Sequence, residues 1–155
     1  MPESVGDPLA SIRNYRRIDP GLATAGQPTA AELAGVAAAG FRTVINLALP
    51  TSPGALADEA GVVRALGMEY VAIPVDFASP QPAEFHRLCA ALESPAALPV
   101  LVHCALNYRV SAFVAARRVL RQGWTREAAL AELHQVWEPD ATWSDFLARL
   151  WGGGP

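Results

Sequence analysis

The chain contains no lysine, two cysteines and two methionines, and only 17% charged and 8% aromatic residues. Each scarcity excludes something. All twelve basic residues are arginine, scattered apart from Arg16-Arg17 and Arg117-Arg118, and the net charge is −3. No basic tract is present to follow a nucleic-acid backbone, so no nucleic-acid partner is expected. Cys89 and Cys104 lack CxxC spacing, so neither a zinc site nor a disulfide framework is expected, and no metal or cofactor is assigned. No apolar run approaches the roughly 18–20 residues of a membrane span. The first residues have neither the basic nor the apolar region of a secretory signal. A cytoplasmic protein without a membrane partner is the expectation. Oligomeric state is not legible.

What is present is apolar: 52% of 155 residues are hydrophobic. That length suits about one domain, able to bury about two thirds of its unfolded surface. Residues 14–151 read as that domain, with loosely ordered ends at 1–13 and 152–155. Asn14 to Asp19 and Leu22 to Ala25 read as short strands joined at Pro20-Gly21. Thr29-Ala30-Ala31-Glu32 has the form of a capping box and opens a helix that stops at Gly40. The β-branched run Thr43 to Leu47 is a buried strand. A helix over Ala55 to Leu66, a strand over Glu69 to Val75 and a loop over Asp76 to Pro82 follow. Ala83 to Glu93 is helical, with Phe85, Leu88, Cys89 and Leu92 on one face. Pro99 to His103 is the most apolar strand. Helices over Val110 to Arg121, from Thr125 to about Val136, and over Trp143 to Trp151 complete the chain. Strands alternating with helices imply an α/β fold: a mainly parallel sheet flanked by helices, with extra helices at the C-terminus.

In such sheets ligands bind beyond the carboxyl ends of the strands. That rule directs attention to His103-Cys104-Ala105-Leu106-Asn107-Tyr108-Arg109-Val110-Ser111. A thiol ends a buried strand, and a short loop and a helix follow. Loop amides and the helix N-terminus make an anion-binding nest, and the same field favours thiolate. The guanidinium of Arg109 matches two oxygens of a phosphate or related oxyanion. Alone, a strand-end cysteine is commonly a small buried hydrophobe, and an arginine in a first helical turn is commonly solvated. The two together at this spacing point to a site.

These residues resemble the signature loop of the protein tyrosine phosphatase superfamily, in its dual-specificity-like branch. Gly26-Gln27-Pro28-Thr29, Val44 to Leu47, Tyr70 to Asp76, and Trp137-Glu138-Pro139 with Trp143 and Phe146 resemble a bacterial group related to beta-lactamase-hydrolase-like proteins. The resemblance runs from about residue 14 to 147. It implies a phosphatase-type sheet and a cysteine-dependent phosphatase acting on a phosphorylated substrate. Cys104 would be the nucleophile. Arg109 and the amides of Ala105, Leu106, Asn107 and Tyr108 would hold the phosphate oxygens. Asp76, 28 residues before Cys104, would be the general acid. Ser111 would hydrogen-bond the sulfur, and His103 would orient the loop through backbone contacts.

One departure divides the reading. The family's loop has five residues between Cys and Arg, and here there are four. The mid-loop glycine is also missing, which leaves Asn107 to take a left-handed conformation. The shorter loop resembles that of rhodanese sulfurtransferases, which carry a persulfide. A phosphate-binding module without turnover is the third reading. Asp76 could equally only turn its loop. Asp58, Glu59 and Asp140 read as solvated or capping, and His86 and His134 as structural. Cys89 and the four tryptophans read as core, and Tyr108 as a wall of the pocket.

Overall fold

The computed structural model describes residues 7–152. Five short strands form one sheet in the order β1-β2-β5-β3-β4. They are β1 (Arg16–Asp19), β2 (Leu22–Ala25), β3 (Thr43–Asn46), β4 (Glu69–Ala72) and β5 (Val100–His103). Only β1 runs antiparallel, against β2; the other pairings are parallel. The run Val100-Leu101-Val102-His103 has no exposed residue, and it takes the central place that suits a strand covered on both faces.

Among the described residues six α-helices pack around the sheet or on one another: α1 (Ala30–Ala38), α2 (Glu59–Ala65), α3 (Pro82–Leu92), α4 (Tyr108–Gln122), α5 (Arg126–Leu133) and α6 (Ala141–Leu150). Successive strand residues point to opposite faces, and the core divides accordingly. Val100, Val102 and Ile45 pack with Phe85, Phe113 and Phe146 from α3, α4 and α6. Leu101, Val44 and Ala23 pack on the other face with Leu33, Val36 and Val63 from α1 and α2. By the same alternation, His103 falls on the α1/α2 side with Leu101.

The caps explain where helices begin. Thr29 and Glu32 close their capping box at α1. Thr125 and Asp140 accept from the amides of Ala128 and Trp143 and start α5 and α6. Asp58 accepts from the Gly61 amide and opens α2 at Glu59, four residues later than the sequence pattern suggests. A carboxylate satisfying an orphan amide outweighs the helix propensity of Ala55 and Leu56. Residues 49–56 are thereby left as irregular chain. α4 starts at Tyr108 and already includes Arg109. The β4 ladder ends at Ala72, although Ile73 and Val75 still donate to Asn46 and Leu47.

Residues 7–13, expected to be loose, form turns that bury Leu9 and Ile12 against the α1/α2 core. The expectations for residues 1–6 and 153–155 lie outside the described residues. Among the described residues, no helix is long and apolar enough to cross a membrane.

Phe113 is fully buried and meets Phe85, Trp143 and Phe146 at centroid distances of 5.8 Å. Phe113→Ala should therefore cost about 3–5 kcal/mol of stability. Urea unfolding followed by tryptophan fluorescence would register it as a lower midpoint with an unchanged slope.

Candidate active site

The carboxyl ends of four strands feed one cavity of about 750 Å³. Gln27 follows β2, Leu49 follows β3, Asp76 follows β4 and Cys104 follows β5, and all four line it. The walls are mainly apolar. Pro28, Leu56, Phe77, Leu106 and Tyr108 form them. Two cations line the same space, Arg109 and Arg13.

Cys104 has no exposed surface and lies at the cavity floor. The loop after it is held by its carbonyls. The Cys104 carbonyl oxygen lies 3.1 Å from His103 Nδ1. The Ala105 carbonyl accepts from the Gln27 amide at 3.0 Å. The Leu106 carbonyl accepts from Asn14 Nδ2 at 2.9 Å. In a planar trans peptide the carbonyl and the following N–H point in opposite directions. Three pinned carbonyls therefore fix the directions of three amides, those of residues 105, 106 and 107. None of the amides of residues 105–110 has an acceptor among the described residues. Such a run of free donors at a helix N-terminus forms a nest of the kind that can receive an anion.

Asn107 takes the left-handed conformation expected of it, with φ 70°. Its side chain turns inward, however. It is fully buried, and Nδ2 donates to the Asn14 carbonyl and to Thr24 Oγ1. Asn107 thus contributes to the nest through its backbone alone. Asn14, itself at φ 50°, completes a reciprocal clasp between the loop and the chain before β1.

Arg109 is 6% exposed, and Nη1 donates to the Val75 carbonyl at 3.0 Å. Nε is buried without an acceptor. A buried donor left in that state costs about 1–3 kcal/mol, which a ligand oxygen would offset. The Val75 contact also ties the guanidinium to the loop that carries Asp76. Asp76 is exposed and lines the cavity. Its Oδ1 accepts from the Ala78 amide at 2.9 Å, so it turns its loop and faces the cavity at once. Tyr108 forms a wall, as expected, and stacks on Trp137 with rings 2° from parallel and centroids 4.5 Å apart.

Two sequence expectations require correction. The Ser111 hydroxyl donates to the Tyr108 carbonyl and faces the groove between α4 and α5, not the cavity. A serine inside a helix readily bonds back to the carbonyl three or four residues before it, and that bond turns the Ser111 hydroxyl away from the sulfur. Glu59, expected to be solvated or capping, is buried against His103. Asp58 and Asp140 do cap helices, and His86 and His134 are exposed. Cys89 is core, and burial pushes its thiol pKa up, away from the reactive thiolate. Trp143 is core, whereas Trp137 is only partly buried beneath Tyr108.

Arg13, Asn14 and the chain over 49–56 carry no motif, and sequence reasoning passed over them as site residues; Glu59 was weighed beside Asp76 as an acid and read as solvated or capping. Gly26 offered a signal within the Gly-Gln-Pro-Thr segment. A Cβ there would lie 2.6 Å from the Ala105 carbonyl oxygen.

The family model "Beta-lactamase hydrolase-like protein, phosphatase-like domain" matches residues 14–120. Among solved structures, a DUF442 protein from Shewanella putrefaciens CN-32 is 31% identical with a TM-score of 0.81; the match covers 94% of this chain and 95% of that one. The catalytic domain of the PP-IP phosphatase SIW14 from S. cerevisiae, in complex with citrate, is 15% identical with a TM-score of 0.75, covering 88% and 84%. TpbA from P. aeruginosa, in complex with pTyr, is 24% identical with a TM-score of 0.69, covering 91% of each chain. The last two are likenesses of fold. No curated protein matches the chain in sequence.

Gly26→Ala tests the close approach of the β2 and β5 loops. The added methyl would push on backbone rather than on a flexible side chain, at a cost of about 1–3 kcal/mol. The variant should remain folded but bind inorganic phosphate at least about tenfold more weakly, as measured by titration calorimetry.

Proposed function

The chain belongs to the family of beta-lactamase hydrolase-like, phosphatase-like domains, and from that premise we propose that it hydrolyses phosphomonoesters with Cys104 as nucleophile. The observation that carries the reading is the set of unpartnered donors beside Cys104: the amides of residues 105–110 and Arg109 Nε. Donors held ready for charge that develops in the transition state are the main source of electrostatic catalysis. Four residues between Cys104 and Arg109 suffice to build such a set. The family match supports phosphoryl chemistry over the sulfurtransferase and silent-module readings.

In the proposed reaction the Cys104 thiolate attacks phosphorus. An S–P bond forms as the bond to the leaving oxygen breaks. Asp76, in its protonated form, gives that oxygen its proton. Arg109 and the amides of Ala105, Leu106, Asn107 and Tyr108 hold the three equatorial oxygens. Water then attacks phosphorus, Asp76 takes a proton from it, and the S–P bond breaks to return thiolate and free phosphate. The apolar walls at Phe77, Leu106 and Tyr108 would receive the body of the substrate. His103 orients the loop. The bound pTyr of TpbA is consistent with a phosphorylated substrate here. The 28-residue separation of Asp76 and Cys104 supports a place near the dual-specificity-like branch.

Hydrolysis of para-nitrophenyl phosphate without added metal tests the proposal. Cys104→Ser should abolish turnover while keeping phosphate binding. Asp76→Asn should lower kcat about 10²–10⁴-fold. Arg109→Ala should cost about 10²–10³-fold. A wild type inactive from pH 5 to 8 would overturn the reading for aryl phosphates, and sulfur transfer from thiosulfate to cyanide would then be measured.

A further inference from the structure

Glu59 is the only buried carboxylate among the described residues, 6% exposed at the first position of α2. It reaches the signature loop by two routes. Its Oε2 lies 2.5 Å from His103 Nε2. Its Oε1 accepts from Gln27 Nε2 at 2.9 Å, and the backbone amide of that same Gln27 donates to the Ala105 carbonyl. One carboxylate thus stands behind two of the three pinned carbonyls.

The hydrogen-bond partners dictate the protons. The Cys104 carbonyl can only accept, so His103 Nδ1 must carry its hydrogen to make the 3.1 Å contact. On the other side of the ring, Nε2 faces a carboxylate oxygen, and one further proton lies between them. The group that one ring nitrogen meets sets the state and orientation of the other. A ring carrying hydrogen at both positions makes a charge-assisted bond to the Cys104 carbonyl, stronger than a neutral one. Polarising that carbonyl polarises the same peptide's other end, the Ala105 N–H. Glu59 bonds to His103 from β5 and to Gln27 after β2; burial raises the pKa of Tyr70 from β4, and the charge of Glu59 adds to that in a smaller measure. No arginine forms an ion pair with Glu59 among the described residues.

We propose that Glu59 is a positioning residue: by binding His103 Nε2 it keeps the ring donating to the Cys104 carbonyl and so aims the Ala105 amide at the bound oxyanion. It touches neither substrate nor sulfur and acts through His103. The kinetic consequence rests on the phosphatase reading. The consequence for oxyanion binding does not.

Inorganic phosphate and ring-nitrogen NMR test it in the full chain. In ¹⁵N-histidine-labelled wild type at pH 7, His103 Nδ1 should carry a proton, and a far-downfield exchangeable proton should correlate with Nε2. Glu59→Gln can still bond to Nε2 through its amide but supplies no charge; Glu59→Leu can do neither. The downfield signal should vanish in both variants. Phosphate affinity, by calorimetry, should fall at least about tenfold in Glu59→Leu, the scale of one lost oxyanion hydrogen bond. Glu59→Gln should recover most of that loss. Thermal unfolding of each variant checks that it is folded. A folded Glu59→Leu that binds phosphate like wild type would overturn the proposal, as would a Glu59→Gln no better than Glu59→Leu. If Glu59→Leu does not fold, the wild-type spectrum still decides: a His103 Nδ1 without a proton overturns the proposal. A wild type that binds phosphate but leaves para-nitrophenyl phosphate intact would sink the phosphatase reading alone.

Discussion

The site depends on the planarity of three successive peptide groups. Once the carbonyls of Cys104, Ala105 and Leu106 are bonded away from the cavity, the following amides have no choice of direction. The three bonds come from three places in the fold: the ring of His103 in β5, the backbone after β2, and the side chain of Asn14 before β1. No local sequence rule produces that convergence. It requires β2 and β5 to be neighbours, and the parallel register that sets Ala25 opposite His103 provides it.

The arrangement leaves polar groups unsatisfied inside an otherwise apolar protein. Arg109 Nε is a donor buried without a partner, beside loop amides that also lack one. Donors already bonded within the protein could not stabilise charge on a substrate, so an efficient oxyanion site carries some instability of this kind. Two hydrophobic layers offset it. On one face, Phe85, Phe113, Trp143 and Phe146 pack edge-on and stacked around α4. On the other, Leu33, Val36 and Val63 hold α1 and α2 against the sheet, and α2 carries Glu59.

What was legible in the sequence follows the reach of each interaction. Thr29 with Glu32, Thr125 with Ala128, and Asp140 with Trp143 act across three residues, and their patterns are visible as written. Cys104, Arg109 and the left-handed Asn107 belong to one short segment and share that advantage. The burial of β5 was legible from its composition; its central place in the sheet was not. Asn14 and Leu106 are 92 residues apart and Glu59 and His103 are 44 apart. A lone asparagine and one of several acids near a helix start carry no mark of such partners. Ser111 misled for the opposite reason. Its position after Arg109 fitted a contact to the sulfur, but the helix starts at Tyr108, and the turn of α4 carries the hydroxyl to the far side.

The early start of α4 also explains how a loop one residue short retains an arginine in place. With Tyr108 as the first helical residue, Arg109 projects from the first turn itself, and its guanidinium meets the Val75 carbonyl. Tyr108 is held against Trp137, Trp137 packs on Phe77, and the Trp143 indole donates to the Phe77 carbonyl at 2.8 Å. The loop bearing Asp76 and the loop bearing Cys104 are therefore fixed to one aromatic block supplied by the C-terminal segment. That block does for the two loops what Asn14 does on the opposite side. It sets Cys104, Arg109 and Asp76 in one frame, so that a shorter loop need not be a looser one.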